Sequence, residues 1–333
     1  MKTSLRLVSC AVGFAALALT GASAQQAAPE AYSIQLVSTF DYPGTGNQTR
    51  PQKINDGGDI VGIFVDTSGV SKAFIRRANG TFSQPIVDPN DAGGLTEGRG
   101  INNSRLVCGD YLDSAGAFEG FFLSGSTFTN YDPEPAFTIV LGVNNAGDFS
   151  GSVIPSSGIQ SGFVSIGGVM TDFVVQNATA TLAYQINATN TSCGYYIDGT
   201  DGLTHGYYRN SNGTIVAPID PAGSTGTIVF GNNDKNFIVG RYSDAGGITH
   251  GFFFKPPNKV LLYDFPGATF TSLNGINKNN VITGRYTDPN TGIDHGIIAQ
   301  VVKNAAGVTL PLAPAPAPAP ALPQRPVYTA PAY

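Results

Sequence analysis

Charge is scarce in this sequence. Asp, Glu, Lys and Arg make up 12% of its 333 residues, about half the roughly 25% of an average soluble domain. No stretch after the first two dozen residues is long and apolar enough to cross a bilayer. Amphipathic helical periodicity is missing as well, which argues against a helical domain. The chain has 3 His and 3 Cys, too few for a cysteine-rich scaffold. Its net charge of −5 disfavours nucleic acid and anionic membrane surfaces as partners. What it has in quantity is Gly, 42 residues, with Ser, Thr and Asn between short apolar runs. That composition suits many short strands joined by tight turns.

The first residues, "MKTSLRLVSCAVGFAALALTGASAQQ", put Lys2 and Arg6 before an apolar run from Leu7 to Leu19 and then Ala22-Ser23-Ala24. This is the pattern of a secretory signal cut after Ala24. We therefore expect residues 1–24 to be a signal peptide, residues 25–31 a short linker, and the mature protein to be secreted, either periplasmic or extracellular, with no membrane span. Removing the signal leaves 16 basic against 23 acidic residues and a net charge of −7.

A repeat runs through the rest. "GINKNNVITGRYTDPNTGIDHGIIAQVV" from Gly275 aligns with "GNNDKNFIVGRYSDAGGITHGFFFKP" from Gly231 and "GINNSRLVCGDYLDSAGAFEGFFLSG" from Gly100. The Asn of each unit falls at 55, 102, 144, 187, 233 and 277, and a Gly follows seven residues later every time. Each unit holds four strand-like runs, a to d, separated by Asn/Asp/Gly turn clusters such as "NDGGD" and "SNGT". Four strands per roughly 40–45 residues is the arithmetic of a propeller blade. The last unit stops after run c near Val302, and the mature N-terminus begins with an unmatched d run, "AYSIQLVSTFDYPG". The expected fold is therefore all-β: a six-bladed β-propeller over 32–302, four antiparallel strands per blade, closed by the N-terminal strand completing the last blade. Closure removes exposed sheet edges. A linear solenoid is the competing architecture, and it leaves the N-terminal run unexplained. Residues 303–333, rich in alternating Pro and Ala, read as a disordered or extended tail.

The G-I-N, I-V-G-x-Y-x-D and H-G-F pattern resembles the HAF-repeat extracellular proteins of bacteria. The resemblance covers roughly residues 32–302, and it implies secretion and a repeat architecture but no established reaction. Three units depart from it, with Lys72, Glu119 and Ser161 at the His position. The Pro-Ala tail also replaces the hydrophobic sorting helix that ends many such proteins.

His205, His250 and His295 are 45 residues apart, twice. Each starts a c run, soon after the Asp that closes run b. The expected pairs are Asp198 with His205, Asp244 with His250 and Asp288 with His295, each a polar staple across one hairpin. Repetition around a ring opposes a shared three-histidine metal site, because zinc ligands must converge. Two Asp series, 66, 113, 198, 244 and 288 at b ends and 41, 88, 132, 220 and 264 at d ends, share that face. "DPNTGID" and "DGTDGLTH" are weakly similar to calcium loops. We expect no cofactor, with calcium the one cation these turns could take. Cys108 and Cys193 occupy equivalent positions in blades two and four, too far apart for a disulfide.

No nucleophile elbow, phosphate loop or histidine metal pair is present. The expected function is a non-catalytic binding or structural module, monomeric, for an extracellular glycan or protein surface. Tyr42, Tyr131, Tyr263 and Phe265, in the d–a turns, are the candidate ligand-face aromatics; packing those turns is the bland alternative. The rival is a propeller-type carbohydrate-active hydrolase or lyase with its site in the central funnel. It would need a cluster of side chains outside the repeat pattern.

Overall fold

A computed structural model describes residues 31–304 except 45, 135 and 136. The signal segment 1–24, most of the 25–31 linker and nearly all of the 303–333 tail lie outside the described residues. No helix among the described residues is long and apolar enough to cross a membrane.

Twenty-three strands form six sheets. The N-terminal strand β1 is Ala31–Phe40. Blade one holds β2 (Gln48–Ile54), β3 (Ile60–Val65) and β4 (Ser71–Arg76). Blade two holds β5 (Thr96–Ile101), β6 (Val107–Leu112), β7 (Phe118–Ser124) and β8 (Thr127–Tyr131). Blade three holds β9 (Thr138–Val143), β10 (Phe149–Val153), β11 (Ser161–Ile166) and β12 (Val169–Phe173). Blade four holds β13 (Ala178–Ile186), β14 (Ser192–Asp198), β15 (Thr204–Arg209) and β16 (Ile215–Ile219). Blade five holds β17 (Gly226–Asn232), β18 (Ile238–Ser243), β19 (Thr249–Lys255) and β20 (Lys259–Tyr263). Blade six holds β21 (Thr271–Ile276), β22 (Val281–Thr287) and β23 (Asp294–Asn304).

β1 completes blade six, pairing antiparallel with β23 from Ala31↔Asn304 to Phe40↔Gly296. The a strands β2, β5, β9, β13, β17 and β21 touch in succession, and β21 touches β2. The fold is thus a closed six-bladed propeller with its a strands around the axis. In blade one the fourth strand is interrupted. Residues 81–88 meet β4 only through the bridges Ala73↔Ile86 and Arg76↔Phe82, where Pro85 supplies no N–H to a ladder.

Two features of the hairpin between strands a and b explain the repeat. The third residue after each repeat Asn adopts positive φ in all six units: Gly58, Arg105, Gly147, Asn190, Asn236 and Asn280. This is the turn that the Asn/Gly clusters announce. The strand Gly answers to a bulge in strand a, because each a–b register shifts just beyond it. A Cβ at Gly109, Gly151, Gly194 or Gly284 would lie about 2 Å from a carbonyl oxygen of strand a, so no larger residue fits.

Apolar side chains fill the gaps between blades. Val61 and Ile75 of blade one cluster with Ile101, Val107, Tyr111 and Phe121 of blade two. Phe237, Val239 and Phe253 of blade five cluster with Leu273, Ile282 and Ile297 of blade six. Cys108 and Cys193 are free, fully buried, and belong to different clusters.

Candidate functional site

Two groups of polar features stand out: repeated ones, which hold blades together, and a set of unrepeated ones that line a cavity on the axis.

Among the repeated features, the histidines sit on the face of the b–c and d–a turns. His205 Nδ1 lies 2.6 Å from Asp220 Oδ2, and its Nε2 lies 3.2 Å from Asp201 Oδ2. His250 Nδ1 lies 2.9 Å from Asp264 Oδ1, and its Nε2 lies 3.3 Å from Asp244 Oδ2. His295 Nδ1 lies 2.8 Å from Asp41 Oδ1. Of the three expected partners only Asp244 is bonded to its His. Asp198 accepts from the Thr200 amide at 2.7 Å, and Asp288 from the Asn290 amide at 2.8 Å. The register gives the reason. Directly across from each His on strand b stands a tyrosine, Tyr196, Tyr242 or Tyr286, and its ring lies against the imidazole at 4.9–5.5 Å between centroids. The imidazole is turned toward strand d, whose terminal Asp becomes its main partner. Burial disfavours the His205 imidazolium, but the hydrogen bonds and charges of Asp220 and Asp201 together outweigh it and the pKa is raised. In blade one Lys72 replaces His, bonding Asp66 at 3.0 Å and covering the Phe64 ring.

The residue after the d-strand Asp reaches the neighbouring blade. Phe265 stacks on Tyr286 at 3.6 Å between centroids, and Tyr42 stacks on Phe64 at 3.8 Å. Tyr131 meets Phe149 edge-on at 4.9 Å and points its hydroxyl at Met170 Sδ. Tyr263 packs on the blade-five and blade-six core, with its hydroxyl buried. The candidate ligand-face aromatics are therefore engaged in packing the d–a turns and the blade interfaces.

On the opposite face the repeat Asn residues form a closed ring. Asn55 Nδ2 donates to Asn102 O, Asn102 to Asn144 O, Asn144 to Asn187 O, Asn187 to Asn233 O, Asn233 to Asn277 O and Asn277 to Asn55 O, all at 2.9–3.1 Å. Each Oδ1 also accepts one or two amides of its own a–b turn, as Asn187 does from Thr189 and Thr191. Among the described residues no group of three or more His, Cys, Asp or Glu is placed to hold a metal ion.

The unrepeated residues line a cavity of about 220 Å³ on the axis, bounded by Gln52, Arg99, Tyr184, Tyr195, Phe230, Arg241, Asn274 and Arg285 among others. Strand a and the residue just after the strand Gly supply them. Toward the Asn ring the a strands close in. A Cβ at Gly142 would lie 2.7 Å from the Gln185 Cα, and one at Gly275 would lie 2.9 Å from the Lys53 Cα. Lys53 bridges this neck, its amine 2.6 Å from Phe230 O, and burial pushes its pKa down to about 8.

Acid and base are unevenly paired around the cavity. Arg99 is held by Glu97 and Asp110, which keep it above its ordinary range against the opposing effect of burial. Burial holds Asp110 above the usual carboxylate range despite Arg99. Arg50 bonds Asp294 at 2.7 Å. Arg241 has no hydrogen bond or ion pair among the described residues; its guanidinium lies over Phe230 and Phe270, 5.4 and 5.2 Å from the ring centroids. Arg285 lies over the same Phe270 ring at 5.0 Å, and its nearest carboxylate oxygen is 3.9 Å away.

None of these cavity residues was among the candidate site residues. The signal was present: the residue after the strand Gly reads Ile63, Asp110, Ser152, Tyr195, Arg241 and Arg285. It is the variable position of an otherwise regular motif, and it is charged in three units of a charge-poor chain.

No family model matches the chain, and no curated protein does. Solved structures do. A protein described as TolB from Agrobacterium tumefaciens is 13% identical, with 82% of this chain and 99% of that one covered and a TM-score of 0.53. A six-bladed fucose-recognising lectin from Aleuria aurantia is 10% identical over 78% and 98%, with a TM-score of 0.45. Virginiamycin B lyase from Staphylococcus aureus is 11% identical over 80% and 99%, with a TM-score of 0.43. At these identities the likeness is one of fold.

Proposed function

We propose that this chain is a secreted binding module that takes a small polar group, one sugar-sized unit of an extracellular glycan, in its axial cavity. One observation carries the reading. The repeated polar residues are engaged in holding the ring, whereas several unrepeated ones from five blades line a single cavity. Its volume, about 220 Å³, falls below the roughly 300–1,000 Å³ of sites for drug-sized ligands. Tyr184, Tyr195 and Gln52 stand in its wall, beside Asn274, whose amide is engaged by Pro51 O and the Ser272 hydroxyl. Aromatic faces with a few polar groups suit a pyranose ring. Secretion rests on the residue pattern of 1–24, and the HAF-repeat resemblance fits an extracellular role without supplying a reaction.

The alternative, a hydrolase or lyase acting at the axis, needs a carboxylate free to move a proton. Glu97 and Asp110 are both engaged by Arg99, and Asp294 by Arg50. That engagement favours binding over catalysis. Screening the mature protein on a glycan array, with the incubated glycans then analysed for cleavage, tests both readings. Binding that is lost in Tyr184→Ala, without cleavage, is the expected result. Binding unaffected by that change places the ligand elsewhere, and release of cleaved sugar establishes the enzyme.

A further inference from the structure

We infer that the axial cavity selects an acidic sugar, and that Arg241 and Arg285 grip its carboxylate. This rests on the cavity being the binding site. The argument is one of charge. Arg241 and Arg285 project from equivalent positions on neighbouring blades, and both guanidiniums lie within 5.2 Å of the Phe270 centroid. Two like charges therefore share one aromatic ring at the edge of a partly enclosed cavity, and Arg241 is among the charges that lower Arg285. Arg285 is 18% exposed, and its Nε is buried without a hydrogen bond. A buried donor left unpaired costs about 1–3 kcal/mol.

Asp294 does not settle the imbalance. Its Oδ2 is bonded to Arg50, and its Oδ1 accepts from Thr287 at 2.6 Å. Glu97 and Asp110, in blade two, are engaged by Arg99. Five basic groups, Arg50, Lys53, Arg99, Arg241 and Arg285, thus face three acidic ones in a chain whose net charge is −5. Burial, with Arg241 nearby, pushes Arg285 down to about 10, and burial also lowers Arg241. An anion between the two would satisfy the free donors and relieve the repulsion. Guanidinium forks match a carboxylate in a bidentate fashion. Tyr184, Tyr195 and Gln52 of the cavity wall then surround the rest of a pyranose. Arg99 is the internal contrast, an arginine of the same cavity already saturated by protein carboxylates.

Calorimetric titration of the mature protein with glucuronate, galacturonate, glucose, galactose and inorganic phosphate tests this, with Arg241→Gln, Arg285→Gln and Arg99→Gln variants alongside. Both uronates should bind, and their neutral counterparts at least about tenfold more weakly, since a charge-assisted hydrogen bond is worth about 1.5–3 kcal/mol. Arg241→Gln and Arg285→Gln should each weaken uronate about tenfold or more while leaving the melting temperature of the ligand-free protein unchanged or higher. Arg99→Gln should lower it, because two buried carboxylates lose their partner. Equal affinity for glucuronate and glucose, unmoved by either Gln variant, overturns the acidic selection and leaves the cavity reading standing. Binding of phosphate but not of uronate overturns it as well. If no sugar binds and Tyr184→Ala changes nothing on the array, both readings fall.

Discussion

At the scale of single residues, His205 shows what one repeat position contributes. Its ring is held between Asp220 and Asp201, tilted against Tyr196. Because its folded pKa is raised, the interaction is fully present below the unfolded value of about 6.5 and is lost as pH rises through the folded one. His205→Ala should therefore cost about 1–2 kcal/mol in mildly acidic buffer and less in alkaline buffer. Urea denaturation at two pH values reads this directly; a loss that grows toward alkaline pH contradicts it. Combining it with His250→Ala should give a nearly additive loss, since the two rings share no partner. The thiols make a second case. Burial pushes Cys193 up to about 12 and Cys108 up as well, and the thiolate is the reactive form. Native protein should resist thiol reagents, and unfolded mature protein should titrate two groups. A disulfide mapped between Cys108 and Cys193 would refute their placement in separate blades. The sequence made the histidines visible as repeat positions but not their partners. A c strand has neighbours on both sides, and spacing alone does not say that Tyr196 occupies the b side and turns the imidazole toward Asp220.

At the scale of elements, the a–b hairpin is the unit of construction. Its Asn is kept in all six units, and it does more than the histidine kept in three. Asn187 donates to Asn233 O in the next blade and accepts the Thr189 and Thr191 amides in its own turn. Removing it leaves the buried Thr191 amide and the exposed Thr189 amide without their acceptor and takes from Asn233 O one of its two donors, where His205→Ala frees side-chain atoms nearer to solvent. Asn187→Ala should lower stability by about 2–4 kcal/mol, clearly more than His205→Ala under the same conditions. Equal losses from the two variants would demote the Asn ring to a decorative contact. Gly240 belongs to the same hairpin. A Cβ there would sit 2.3 Å from Ile228 O, so Gly240→Ala should disrupt the bulge and reduce the yield of folded protein relative to an alanine at Gly226, where the added carbon meets nothing within 4 Å. The seven-residue offset between Asn and Gly was legible because both ends of it are backbone requirements. The role of the Asn was not, because its acceptor lies one blade away, 42 to 47 residues along the chain or, for Asn277, back at Asn55.

At the scale of the whole molecule, blade count and closure were readable because repeat phase is a one-dimensional property: a unit short of its d strand and an unmatched d strand at the start fit only one way. The axial cavity was not readable. Its residues come from five different blades, and only the ring brings Gln52, Arg99, Tyr184, Arg241 and Arg285 to one place. Deleting residues 31–40 should expose β23 as an open edge, producing aggregation rather than a stable monomer with a three-stranded blade six. Light scattering of the truncated protein checks this; a soluble monomer with unchanged melting behaviour would count against the closure. That same closure has a mechanical side. Ala31 and Asn304 are cross-strand neighbours at one end of the β1–β23 ladder, so a tensile load drawing the two ends of the propeller apart acts on that ladder from its tip. The bonds then fail one after another, as in a zipper, instead of sharing the load as they would in shear. A molecule held by only one of its ends never experiences that load, whereas one held by both carries its weakest direction along the line of pull.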